Sequence, residues 1–277
     1  MKKITLLFTA AICFSTAMSA QTNASLQLAK GQKYQVDNKM ETSSSTEMQG
    51  QTMETKANIA STYSIVVNDK TGDNYNLTNT ISRIVMNMSM MGNEINFDSD
   101  KKEDMSGQMG EGLKDYINHP QNVVMDQSGK IINQPSTTDS SASQIAKQLN
   151  FAASGYGAQM TFLALPKNVK PGTSWTEKTD DNGITRTTNY TIKDVSGNIA
   201  TITFTGTVAT DTKMEQQGME IETKTSGKFS GEEKVNSKTG VIQSSNTVAD
   251  ASGTVSAMGQ DFPTSSKVTS TTTVKTL

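Results

Sequence analysis

From Ile84 to Met90 every second side chain is apolar: Ile84, Met86, Met88 and Met90 fall on one side, Val85, Asn87 and Ser89 on the other. That period of two fits a half-buried β-strand, whose successive side chains leave opposite faces of the pleat. Tyr63 to Val67, Tyr75 to Ile81, Tyr190 to Val195 and Ile199 to Val208 read the same way. Turn signals stand between such runs at Asp69 to Gly72, Met91-Gly92-Asn93, Ser128-Gly129-Lys130, Ser196-Gly197-Asn198, Ser237 to Gly240 and Met258-Gly259-Gln260. A hydrophobic content of only 34% agrees with sheets that bury one face. The expected class is mainly β (α+β): a large curved antiparallel sheet or half-barrel with a few central helices.

Two stretches break the pattern. Ile145, Leu149, Ala152 and Ala153 recur at helical spacing, which predicts a helix over at least Ser143 to Ala153, and Ala158 to Leu165 reads as a second helical piece stopped by Pro166. Gln108 to Ile117 is a shorter helical candidate weakened by Gly110 and Gly112. The chain also echoes itself. The segment from Glu47 to Lys56 resembles that from Lys213 to Lys224, and Gly31-Gln32-Lys33-Tyr34 resembles Gly172-Thr173-Ser174-Trp175. Either duplication or convergent strand composition produces such echoes. The predicted organisation is a signal peptide over residues 1–20 and one β-rich domain over 21–277. Two similar halves, about 25–135 and 166–277, are joined by a helical segment, 141–165.

The first residues point to export. Lys2 and Lys3 precede an apolar run from Ile4 to Ala17, and Ala17, Ser19 and Ala20 supply small residues for cleavage after Ser19 or Ala20. The run is too short to cross a bilayer as a helix. Cys13, the single cysteine, lies inside it, so the mature chain is expected to have no thiol, disulfide or thiolate metal site. Without Lys2 and Lys3 the chain carries 23 basic and 27 acidic groups, a net charge of −4 that gives no reason to expect a nucleic-acid or anionic-membrane partner. Arg83 and Arg186 are the only arginines, so bidentate recognition of phosphate is scarcely available.

Little in the sequence carries chemistry. His119 is the sole histidine and reads as a surface turn residue. There is no nucleophile elbow, phosphate loop or zinc-protease helix. Asp98 and Asp100, Glu103 and Asp104, Asp180 and Asp181, and Glu232 and Glu233 are acid pairs that solvated turns explain better than a glycosidase does. A calcium site around Asp98, Ser99 and Asp100 lacks the glycine and terminal glutamate of an EF-hand loop. No enzyme activity and no cofactor is expected.

The order of export signal, Leu28 to Tyr34, Phe97-Asp98-Ser99-Asp100, the Val124 to Ile131 turn, Leu165-Pro166 to Trp175 and Lys238-Thr239-Gly240-Val241-Ile242 resembles an uncharacterised exported β-rich family of Bacteroidota, a domain of unknown function. The likeness covers nearly the whole mature chain, and its motifs are structural. The family's Gly-Asp-Ser-Trp is Gly172-Thr173-Ser174-Trp175 here, without the acid. More distantly, strands around central helices are similar to periplasmic half-barrel carriers of lipids or lipoproteins.

Methionine is the unusual count, with 14 of 16 lying beyond residue 20. Thioether side chains fill irregular cores, line adaptable cavities for apolar ligands, or capture Cu(I), and the sequence leaves all three open. The functional expectation is an exported, periplasmic or extracellular, non-enzymatic protein that carries a hydrophobic small molecule, lipid or lipoprotein. Its apolar pocket is expected to be lined by Met86, Met88, Met90, Leu149, Phe151, Phe162 and Leu163. The alternative is a structural or surface-interaction protein with a filled core that binds an envelope protein or a glycan.

Overall fold

Val, Ile, Thr, Tyr and Phe favour the pleated, half-buried surface of a sheet, and the computed structural model makes strands of nearly all the periodic segments. It describes residues 25–48, 50–90, 92–133, 156–181, 183–216, 219–257 and 259–277. The signal peptide expected over residues 1–20, with Cys13, and the helix expected over Ser143 to Ala153 lie outside these residues.

The first half of the chain forms β1 (Lys33–Met48), β2 (Gln51–Thr71), β3 (Asn74–Met90), β4 (Asn93–Asp98), β5 (Gln121–Asp126) and β6 (Ile131–Asn133). The second half forms β7 (Ser174–Asp181), β8 (Ile184–Ser196), β9 (Ile199–Gln216), β10 (Met219–Asn236), β11 (Ile242–Ala257) and β12 (Gln260–Thr276). All neighbours are antiparallel, in the order β6-β5-β3-β2-β1-β12-β11-β10-β9-β8-β7, with β4 paired to the far end of β3. The first and last strands meet in the middle, in continuous register from Tyr34 opposite Thr276 to Thr46 opposite Thr264. The outermost strands, β6 and β7, are not joined, so the sheet is an open half-barrel.

Bulges explain why the sequence pattern breaks where the strands do not. Tyr75 to Ile81 and Ile84 to Met90 are one strand, interrupted between Ile81 and Ile84 by a register shift opposite Thr62 and Tyr63. The extra residue reverses the parity of the apolar positions, so Tyr75, Leu77 and Ile81 share the inner face with Ile84, Met86 and Met88. Similar shifts at Ile192/Asp194 and Lys234/Val235 bend the other half.

Of the two sequence echoes, the glycine motifs take equivalent backbone positions before β1 and β7, and the hairpin echoes do not. Glu47 to Lys56 spans the β1–β2 turn and Lys213 to Lys224 the β9–β10 turn. Gly31 and Gly172 both take positive φ, 84° and 86°, which favours glycine. Each donates its N–H to a strand carbonyl, Val67 or Ile192, whose own N–H returns to Gln32 or Thr173.

Among the described residues, three short helices, α1 (Lys102–Met105), α2 (Gln108–Leu113) and α3 (Tyr156–Gln159), belong to the segments between strands. Gly110 suits α2 because a Cβ there would collide with the Met105 backbone. The second helical piece expected over Ala158 to Leu165 is corrected to the single turn of α3. Beyond it the backbone bonds laterally instead, Leu163 N–H to Gly240 O and Ile242 N–H to Thr161 O, because the turn before β11 offers unpaired groups. Residues 25–28 cross the same end of the half-barrel. Leu26 is fully buried, donates to Gln127 O and accepts from the Tyr75 hydroxyl at 2.7 Å. One cluster of buried side chains lies mainly under β1–β5 and a second mainly under β7–β12.

Candidate functional site

Within the second cluster the inner face turns polar. Register puts Phe229 and Glu233 of β10, Arg186 and Tyr190 of β8 and Glu177 of β7 on the face that elsewhere carries Ile192, Ile202 and Val235. Glu177 and Arg186 are buried, and Glu233 has its Oε2 enclosed. The Arg186 guanidinium lies 4.0 Å from the Phe229 ring centre, a cation–π distance. Trp175 Nε1 donates to Glu177 Oε1 at 3.1 Å, and the indole stacks on Tyr190 at 4.9 Å. Ser245 Oγ donates to Glu233 Oε1 at 3.1 Å.

Burial dominates the electrostatics. It pushes the Glu177 carboxyl up to about 7, against the hydrogen bonds of Trp175 and Tyr190 and the charge of Arg186. It also pushes Glu233 up to about 7, opposed by Ser245 and Arg186 and reinforced by Glu177. The Arg186 guanidinium is lowered by burial, while Tyr190 and the two glutamates favour its charge. Two acids thus share the interior with one cation, and burial favours the protonated form of each.

Of these groups Arg186, Tyr190, Glu233 and Ser245 border a cavity of about 70 Å³ between α3 and strands β8–β12. Tyr156, Gln159 and Met160 close one side; Glu233, Ser270 and Thr272 stand on the other. Asn38 Nδ2 braces the wall by donating to Ser270 Oγ and Thr272 Oγ1, at 3.0 and 2.9 Å. Glu233 Oε2 and Gln159 Oε1 are enclosed and accept no hydrogen bond from the described residues. Such a site can bind donor groups or water. No group of three His, Cys, Asp or Glu side chains fit for a metal occurs among the described residues.

A larger hollow, about 920 Å³, lies on the opposite face. Its floor is a cross-strand row of small residues, Ser45, Ser265, Ser252, Ser226, Ala209 and Thr185, flanked by Lys267, Asp250 and Lys228. Sheet twist makes a long-stranded sheet saddle-shaped, and small side chains leave the saddle unfilled.

The residues expected to line an apolar pocket are placed as follows. Met86, Met88 and Phe162 are buried in the first core cluster, Leu163 in the second, and Met90 is buried opposite Thr55. Leu149 and Phe151 lie outside the described residues. None of the five described residues borders the cavity or the hollow. The reading of Glu232 and Glu233 as a solvated turn pair is corrected, since both sit within β10. Glu232 faces out to Lys193 at 3.1 Å and Glu233 faces in. Strand parity carried the missed signal, because Phe229, Gly231, Glu233 and Val235 alternate in one strand and Arg186, Thr188, Tyr190 and Ile192 in another.

Lipovitellin, solved in a study titled for its lipid–protein interactions, is similar in fold. It is 11% identical, with 90% of this chain aligned to 25% of that one and a TM-score of 0.51. The chain thus spans about a quarter of lipovitellin's length. An outer membrane channel from Pseudomonas putida F1 aligns over 93% of this chain and all of its own, at 8% identity and a TM-score of 0.28. No curated protein matches the chain. A family of unknown function, DUF6263, matches residues 72–150 and 138–242. The chain belongs to the DUF6263 family.

Proposed function

We propose that this protein is an exported, non-enzymatic envelope protein that binds or carries a hydrophobic ligand against the inner face of its half-barrel. The carrying observation is an open sheet whose apolar inner face is interrupted by a polar-walled cavity under α3. A packed apolar face alone would suit a scaffold; a buried polar recess inside it suits a ligand with an apolar body and a polar end. The cavity itself is too small for an acyl chain, so the chain must displace packed side chains. Unbranched, polarizable methionines such as Met86, Met88 and Met160 are suited to such repacking. The likeness to lipovitellin supports the reading at the level of fold. Solvent extraction of the purified mature chain followed by mass spectrometry tests it, alongside titration with an environment-sensitive apolar dye. A stoichiometric lipid or saturable dye binding is expected; absence of both overturns the proposal.

The hollow on the opposite face favours a second reading, in which its hydroxyl floor seats an extended polar segment of an envelope protein or glycan. Ser226→Trp with Ser252→Trp would fill that floor. Loss of partner capture with dye binding intact would favour this reading over the carrier.

A further inference from the structure

The cavity under α3 has a donor and acceptor balance that narrows the ligand class. The sheet wall brings both the Arg186 cation and the Glu233 carboxyl to the cavity, with Glu177 close enough to act on both charges. An anionic head would meet two acids in a low-dielectric recess, and an ammonium head would meet the guanidinium. Gln159, buried on α3, and Glu233 present Oε1 and Oε2 as enclosed acceptors with no hydrogen bond from the described residues. Ser270 and Thr272 add hydroxyls that can donate or accept. What satisfies such a wall is an uncharged group with several hydroxyls, each able to donate to a carbonyl or carboxylate oxygen and accept from a guanidinium.

Resting on the carrier reading above, we infer that this cavity binds the neutral, hydroxyl-bearing head group of an amphiphile, as in a monoacylglycerol, and discriminates against free fatty acids and fatty amines. The size agrees: about 70 Å³ is several times the roughly 10–15 Å³ that one enclosed water needs. Met160, Phe204 and Ile242 at its border supply the apolar contact where a tail would begin.

The test uses three probes with one tail and three heads, namely monooleoylglycerol, oleate and oleylamine, titrated against the full mature chain by dye displacement at pH 7.5. The monoacylglycerol is expected to bind at least about tenfold more tightly than either charged probe, the scale of one or two buried hydrogen bonds. Gln159→Met removes an acceptor at similar volume, and Thr272→Val removes a bordering hydroxyl at similar volume. Each is expected to shrink the preference for the glycerol head several-fold while dye binding persists. Two variants keep the test open if one fails to fold, which circular dichroism would reveal. Equal binding of the three probes, tighter binding of oleate or oleylamine, or a preference untouched in a folded variant overturns the head-group assignment and leaves the carrier reading standing. Failure of all three probes and of the dye overturns both, and ordered water is then the cavity's occupant.

Discussion

Phe229 of β10 lies directly across from Gly206 of β9, and a Cβ on that glycine would collide with the ring. Two residues along, the arrangement is reversed, with Phe204 of β9 over Gly231 of β10. Each ring covers the backbone of a glycine on the neighbouring strand, and the Phe229 ring is thereby held flat beneath Arg186. Gly206→Ala is therefore expected to destabilise the fold by about 1–3 kcal/mol through overpacking. Urea unfolding would measure it, and Phe229→Leu, which vacates the space, should recover part of the loss in the double variant.

Stability should fall as pH rises through the range in which the buried acids ionise. Glu177 and Glu233 are raised from 4.5 to about 7 in the folded protein, so between those values the folded state holds more protons than the unfolded chain. The stability they contribute is fully present below about pH 4.5 and is lost by about pH 7, at most about 3 kcal/mol for each. Glu177→Gln or Glu233→Gln should flatten this part of the profile, read as the difference in urea midpoint between pH 5 and pH 8.

Arg186 answers to the same arrangement from the other side. Arg186→Met removes the cation that favours ionisation of both carboxyls, so their titration should move upward. At pH 8 the variant is expected to lose about 3–5 kcal/mol, the cost of breaking a buried charge set. At pH 5, with the acids protonated, the loss should be smaller; an equal loss at both values would mean that packing on Phe229 is what Arg186 provides.

Met86 is fully buried in the first core cluster. Met86→Leu should cost less than about 1.5 kcal/mol because volume is conserved. Met86→Ala should cost about 2–5 kcal/mol through the cavity it leaves. Thermal unfolding of the pair separates a site that needs sulfur from one that needs only bulk.

The sequence by itself determined the class of this fold. Alternation such as Ile84-Met86-Met88-Met90 and turns such as Ser196-Gly197-Asn198 are local, and local sterics suffice to make strands and reversals of them. It did not reveal that Ile81 and Ile84 share one strand face, because a bulge depends on the partner strand. Nor did it reveal that β1 and β12 would close against each other, since Tyr34 and Thr276 are brought together only by the completed sheet. Periodicity says which face a side chain takes, and only the segments packed over that face decide how closely residues such as Met86 and Met88 are packed. Glu177 and Arg186 come from one hairpin and Glu233 from β10, and their raised and lowered affinities for protons arise from a shared dry interior that exists only in the tertiary structure.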